Sequence, residues 1–213
     1  MKITSILFDM DGVLVDSEEA IRTCSIEALK SFDIEAKHED FFEFTGMGED
    51  RFIGGVVEKY GKVYTLEMKD LAYKYYAERA AELIIVYEGI KELIYKLKEK
   101  GLKIAVGSAA DRVKVTINLG CIGLSESDFN AVITGSEVKN KKPDPEIYLT
   151  AAKKIGSEPH ECLVIEDAVS GLTAAKAAGM QSIGVTSTFD EQTLKNAGAS
   201  FVVSNTPDIL KYI

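Results

Sequence analysis

Six short runs along the chain are almost wholly apolar and β-prone: 3–8, 103–106, 131–134, 162–165, 182–185 and 201–203. Longer stretches with helical spacing of apolar residues separate them. Continuous apolar strands alternating with amphipathic helices predict a parallel sheet covered on both faces, an α/β class. One spacing breaks the rhythm. About ninety residues separate the first run from the second, where a crossover needs only a few tens. That gap predicts an inserted domain.

The gap is helical in pattern. Ser17 stands where it can cap a helix over 18–31, and Gly46, Gly48, Gly54, Gly55 and Gly61 punctuate the segments that follow. A longer helix over 66–84 carries Leu71, Tyr75, Ala80 and Leu83 among charged residues. Residues 16–86 are therefore read as a helical cap, joined by hinge strands near Val15 and Val86 to a Rossmann-like core made of 1–15 and 87–213. The core resumes with a helix over 91–100, which Gly101 ends as a C-cap residue would.

Composition narrows the function. The 213 residues suit one large domain with a smaller insert, and 46% hydrophobic with 28% charged residues is an ordinary globular composition. The net charge is −9 and the lysines are scattered, which disfavours nucleic acid as a partner. An acidic protein that binds phosphate esters needs a local correction, from a metal ion or a few placed cations. Cys24, Cys121 and Cys162 are odd in number and far apart, so they read as free thiols. No apolar run approaches a membrane span, and the N-terminal apolar stretch is short and cut by two aspartates. A cytoplasmic protein without a membrane partner is expected.

In a doubly wound sheet, ligands bind beyond the carboxyl ends of the strands. The first run ends in Phe8-Asp9-Met10-Asp11-Gly12, two carboxylates one residue apart before a glycine. Alone, this pair reads equally well as a turn. The second ends in Val106-Gly107-Ser108-Ala109-Ala110-Asp111, a hydroxyl and free amides before a helix near Arg112, with Asp111 also placed to serve as a plain N-cap. After the third comes Lys139-Asn140-Lys141-Lys142-Pro143-Asp144, where Pro143 keeps Lys142 extended and able to reach the strand ends. Alone, that run reads more readily as solvated lysines. The fourth ends in Val164-Ile165-Glu166-Asp167, a pair of acids that is costly after a buried strand unless something cationic is bound. Carboxylates and water suit Mg²⁺.

These segments resemble the haloacid dehalogenase superfamily, in the subgroup with a helical cap between the first two motifs. FDMDGVLVDSE, VGSAADR, KKPDPEIY and VIEDAVSGLTAAKAAGM match the family's four motifs in order. The resemblance implies a Mg²⁺-dependent phosphoryl-transfer enzyme acting on a small-molecule phosphate ester. It makes Asp9 the nucleophile and Asp11 the general acid and base. Mg²⁺ falls to the Asp9 and Asp167 carboxylates and the Asp11 carbonyl, with Glu166 beside them. Lys142 balances the charge, and Ser108 with the Ala109 amide holds the phosphoryl oxygens. Many relatives have Gly before the Lys-Pro pair, whereas Lys141 stands here, so Lys141 is the fallback for Lys142.

An acid at position 11 sets the chain apart from the haloacid dehalogenases and phosphonoacetaldehyde hydrolases that it resembles. β-Phosphoglucomutases carry a His on the first cap helix, where Ile21 stands. Hydrolysis of a small phosphorylated metabolite, a sugar phosphate or similar, is thus expected over β-phosphoglucomutase-like transfer. Ser17, Arg51 and Lys74 are candidate substrate contacts from the cap, the last two also readable as solvated helix face. A phosphoacceptor signalling module shares the sheet, the acceptor Asp, a hydroxyl and a Lys, but it is shorter and spaces its acids differently. A silent binding protein on this scaffold fits poorly with four intact motifs. A cap that opens and closes over its own site is compatible with a monomer.

Overall fold

The structure is a computed structural model that describes residues 2–45 and 47–213. Gly46, one of the glycines that punctuate the insertion, lies outside the described residues. Strand β1 is Ser5–Phe8, β2 Val15–Asp16, β3 Ile85–Val86, β4 Lys103–Gly107, β5 Ala131–Ile133, β6 Cys162–Glu166, β7 Gln181–Val185 and β8 Phe201–Val203. Six of them form one sheet in the order β5-β4-β1-β6-β7-β8, with every pairing parallel. Each predicted run is one of these six strands.

The core lies on both faces of β1. Ile6 and Phe8 pack into one apolar cluster with Ile104, Val106 and Ile165, while Leu7 faces a second cluster with Ala105, Val164 and Tyr148. That alternation is the pleat at work: one residue in two faces each layer of helices. Helix α4, Ile90–Glu99, and helix α5, Arg112–Ile122, cover the first face, and α6, Glu146–Ile155, with α7, Val169–Ala177, covers the second. Helix α8, Glu191–Ala197, packs against β7 and β8. Gly101, at φ +76°, follows the end of α4 as the sequence indicates.

The chain goes from β1 outward through β4 and β5, then returns to the other side of β1 for β6, β7 and β8. The direction of winding therefore reverses between β1 and β6. Ligands settle at such switch points, because the loops leaving the two strands diverge and open a crevice.

Among the described residues, three helices lie between β2 and β3: α1 (Glu18–Lys30), α2 (Glu49–Lys59) and α3 (Leu66–Leu83), with a 3-10 helix over His38–Phe44. The two short strands pair antiparallel, Val15 with Val86 and Asp16 with Ile85. Helices α1 and α3 form the body of the insertion, and α3 also meets α5 of the core.

One reading of the insertion is corrected. Gly54 and Gly55 punctuate nothing; both are buried inside α2, and a Cβ on Gly55 would lie 2.4 Å from the Phe44 ring. Gly55 leaves room for Phe44 of the 3-10 helix, and Gly54 for the Tyr64 ring, 3.3 Å from where its Cβ would stand. In α3 the buried stripe is Met68, Ala72, Tyr76 and Ala80, spaced by four, with Tyr73 beside it. Leu71, Tyr75 and Leu83 sit at its half-buried edge.

Candidate active site

Asp9 continues the line of β1 toward β6, its amide donating to the Ile165 carbonyl at 3.0 Å. Its carboxylate is nearly buried, and Lys142 Nζ donates to Oδ1 at 2.6 Å. The same ammonium donates to Glu166 Oε1 at 2.7 Å and lies 4.8 Å from the centre of the Tyr148 ring. Lys142 is thus the lysine that reaches the strand ends. Lys141, the fallback, instead lies 3.4 Å from the Ala109 carbonyl.

Glu166 closes β6 as its last residue rather than opening the loop. Its Oε1 accepts from Lys142 and the Tyr148 hydroxyl, and its Oε2 from the amides of Asp167 and Ala168. A buried carboxylate with this many donors has its hydrogen bonds met within the protein, Lys142 among them. Room for it comes from Gly171, where a Cβ would lie 1.6 Å from Glu166 Oε1. Asp167 has one hydroxyl partner, Thr188 Oγ1. It also leans over Gly12, where a Cβ would sit 2.0 Å from Asp167 Oδ2 and φ is +75°. Only glycine fits both demands.

Carboxylate oxygens of Asp9, Glu166 and Asp167 lie within 4.8 Å of one another. Burial pushes Asp9 up to about 7, against the pull of Lys142, and the charges of Glu166 and Asp11 add to the rise. Burial likewise pushes Asp167 up to about 8, with Glu166 and Asp9 adding to it. Crowded, desolvated carboxylates of this kind are what a hard divalent cation neutralises, so the donor set fits Mg²⁺. Of the three, Glu166 has four hydrogen-bond donors, whereas Asp9 has Lys142 and Asp167 has Thr188.

Asp11 faces the insertion. Its Oδ1 accepts from the Ser17 hydroxyl and its Oδ2 from Lys114 Nζ at 3.0 Å. Contrary to the sequence expectation, Ser17 does not cap α1 with its side chain: its hydroxyl is turned to Asp11 and takes no hydrogen bond from the first-turn amides. A polar chain runs on from there: Asn118 donates to Ser17 at 3.5 Å, and the Tyr76 hydroxyl to Asn118 at 2.5 Å. Lys114 is 3% exposed and also faces Glu49 at 3.6 Å. Burial opposes its charge, but Asp11, Glu49 and Glu18 overcome that and hold the ammonium well above its usual range. Burial raises Glu49 and Glu18 above the ordinary carboxyl range, with Lys114 opposing in both.

Ser108 is buried, and its Oγ accepts from the Ala110 amide at 3.2 Å. Both Ser108 and Ala109 line the same cleft as Asp9 and Lys142. Asp111 precedes α5, yet its carboxylate does not cap that helix. It accepts from Lys69 at 3.0 Å and the Tyr73 hydroxyl at 3.1 Å, both on α3 of the insertion. The Asp111 amide in turn donates to Glu49 at 3.4 Å. Arg51 and Lys74 are not brought to the site. Arg51 pairs with Glu58 at 2.7 Å on the outer side of α2, and Lys74 is exposed on α3.

These groups open onto one cleft of about 1040 Å³ between the strand ends and the insertion. Such a volume takes a small ligand with its ion and is large for the class of enclosed small-molecule sites. Sequence reasoning missed Lys114, Glu49, Tyr148 and Thr188. For Lys114 a signal existed: Lys114 and Asn118, four apart, interrupt the face of α5 that otherwise carries Val115, Leu119 and Ile122.

Residues 6–185 match the family of haloacid dehalogenase-like hydrolases. The chain is 42% identical, over 94% of its own length, to the chloroplastic protein Suppressor of Quenching 1 of Arabidopsis thaliana, of which it spans only 19%. It is 33% identical to the phosphorylated carbohydrates phosphatase of Thermotoga maritima, with 93% of each chain covered. Against the pyrophosphatase PpaX of Bacillus velezensis it is 30% identical, over 98% of this chain and 95% of the other. Among solved structures, a hydrolase from Pseudomonas syringae superposes with a TM-score of 0.80 at 30% identity, covering 98% of this chain and 97% of that one. Among the described residues no helix is long and apolar enough to cross a membrane. With the fold, the strand-end acids and the match over most of its length in agreement, the chain belongs to the haloacid dehalogenase-like hydrolase family.

Proposed function

We propose that this protein is a Mg²⁺-dependent phosphatase that hydrolyses a small phosphorylated metabolite through an aspartyl-phosphate formed on Asp9. The coarse class, a phosphoric monoester hydrolase, rests on the family and on relatives of matching length whose names are those of phosphatases. The observation that carries the finer reading is the Asp9 carboxylate, buried and paired with Lys142 at 2.6 Å, beside Asp167 at the switch point of the sheet.

An oxygen of Asp9 attacks phosphorus while the ester P–O bond breaks, and the departing alcohol oxygen takes a proton from Asp11. Water then attacks the phosphorus of the aspartyl-phosphate and gives its proton to Asp11, releasing inorganic phosphate and restoring Asp9. A carboxylate approaching a phosphate dianion is repelled, and Lys142 lowers that repulsion from one side. Mg²⁺, held by the carboxylates of Asp9 and Asp167 and the Asp11 carbonyl, supplies the remaining positive charge. Ser108 and the Ala109 amide hold the oxygens of the transferring group. Ser17 and Lys114 fix the Asp11 carboxylate between core and insertion.

Purified protein is expected to release p-nitrophenolate from p-nitrophenyl phosphate only with Mg²⁺ present, and Asp9→Asn to lose at least about a thousandfold in kcat. Undiminished turnover by Asp9→Asn would sink the nucleophile assignment. Incubation with β-glucose 1-phosphate and a trace of the bisphosphate separates hydrolysis from transfer. Free phosphate is the expected product; accumulation of glucose 6-phosphate would establish a mutase instead.

A further inference from the structure

Glu49 and Asp111 meet where the insertion rests on the core, and each takes a donor from the other side. The Asp111 carboxylate accepts from Lys69 and Tyr73 of α3, while the Asp111 amide donates to Glu49 Oε2 at 3.4 Å. Glu49 Oε1 lies 3.6 Å from Lys114 Nζ, which donates to Asp11 Oδ2 at 3.0 Å. One ammonium thus stands between a carboxylate of the insertion and the carboxylate that handles protons in the reaction proposed above. Ser17, the other partner of Asp11, directly follows the hinge strand β2, whereas Glu49 opens α2, well inside the insertion.

An acid in the first turn of a helix ordinarily stays at the surface, where the helix dipole favours it. Glu49 is only 6% exposed and reaches across to the core. The backbone permits that approach: Gly48 takes φ +83°, and a Cβ there would collide with Lys141 Nζ. Lys114 is 3% exposed, and a buried charge is costly unless it is paired. Among the described residues, Asp11 and Glu49 are the carboxylates within 4 Å of its ammonium. Without Glu49 that ammonium, on a flexible four-carbon stem, is no longer fixed from the insertion side, and Asp11 moves with it. Because Glu49 belongs to the insertion and Lys114 to the core, their contact exists only while the two are together.

Resting on the phosphatase reading above, we infer that Glu49 is a positioning residue for the general acid. Through Lys114 it holds the Asp11 carboxylate where its proton meets the departing oxygen, and it does so only with the insertion seated on the core. The proton passes from Asp11 to the alcohol oxygen as the ester P–O bond breaks, leaving Asp11 ionised. Asp9, paired with Lys142, draws nothing from Glu49. An ester bound with the insertion away meets its nucleophile but not its acid.

Two esters of similar shape separate this role from a structural one. p-Nitrophenolate leaves without a proton, whereas benzyl alkoxide needs one, so only benzyl phosphate depends on a well-placed acid. The constant kcat/KM covers binding and transfer to Asp9, the step in which Asp11 gives up its proton. With Mg²⁺ in excess, Glu49→Ala is expected to lower kcat/KM for benzyl phosphate about tenfold or more beyond any loss on p-nitrophenyl phosphate. Glu49→Gln, which still accepts from Lys114 and the Asp111 amide but lacks the charge, is expected to lower the same ratio by about threefold. A ratio unmoved in both variants, as a merely structural role would leave it, overturns the inference. So does an unaltered protein that cleaves only the nitrophenyl ester. If the unaltered protein cleaves neither, the phosphatase reading itself fails. The link from Glu49 to Asp11 is then read in the metal-free protein from the carboxyl-carbon resonance of Asp11: a shift in Glu49→Ala supports it, and an unmoved resonance overturns it.

Discussion

Gly12 shows how narrowly the site is drawn. Its φ of +75° and the Asp167 oxygen 2.0 Å from where a Cβ would stand leave no room for alanine. Gly12→Ala is expected to cost about 1–3 kcal/mol of stability and to weaken Mg²⁺ binding, read by urea unfolding and by calorimetry. Lys114 is the counterpart on the insertion side. Removing its charge leaves Asp11 and Glu49 facing each other in a desolvated space. Lys114→Met is therefore expected to destabilise the fold by about 3 kcal/mol, because breaking a buried pair strands the remaining charge. A urea midpoint matching that of the unaltered protein would contradict this. The acids at the strand ends were legible in combination: Asp9 and Asp11 alone read equally well as a turn, and it is with Ser108, Lys142 and Glu166-Asp167 at other strand ends that they read as a site. Lys114, Tyr148 and Thr188 were not, since each comes from a different helix or loop and meets the site only through the packing of those elements.

Among the elements, α3 and α5 carry the contact that ties insertion to core. Asp111 takes hydrogen bonds from Lys69 and Tyr73 of the insertion, and Lys69 also pairs with Asp50 at 2.7 Å. Asp111→Ala should release this tie, and hydrogen exchange is expected to quicken in the first turns of α3 and α5 while β1 and β6 stay protected. Unchanged exchange in α3 would assign the closure to the apolar contacts alone. At this scale the sequence was read well where the pattern has one interpretation. All six runs are strands because uninterrupted apolar segments flanked by turns have few other uses. Inside the insertion the rotation of each helix decides which residues face the cleft, and rotation is set by neighbours. Arg51 and Lys74 were placed near substrate on spacing that left that angle free. Glu49 was passed over because an acid in the first turn of a helix ordinarily needs no further explanation.

For the molecule as a whole, Asp9 and Asp167 link folding to pH. Their folded values, about 7 and about 8, lie above the ordinary 3.8, so the folded protein binds more protons than the unfolded chain in that interval. Stability of the metal-free protein is therefore lost as pH rises from about 4 through about 8. Thermal melts in EDTA are expected to give a lower midpoint at pH 8.5 than at pH 6, and Mg²⁺ to raise the midpoint more at the higher pH. Equal midpoints in EDTA would show that these carboxyls are not strained in the folded state. The paired strands β2 and β3 carry a different consequence. Since Val15 and Val86 are ladder partners, the chain leaves the core and returns to it at one place. The sheet needs nothing from the intervening helices to close its hydrogen bonds. The inserted segment can thus be exchanged, lengthened or shortened as a cassette, and the arrangement at the strand ends can be inherited without being reinvented.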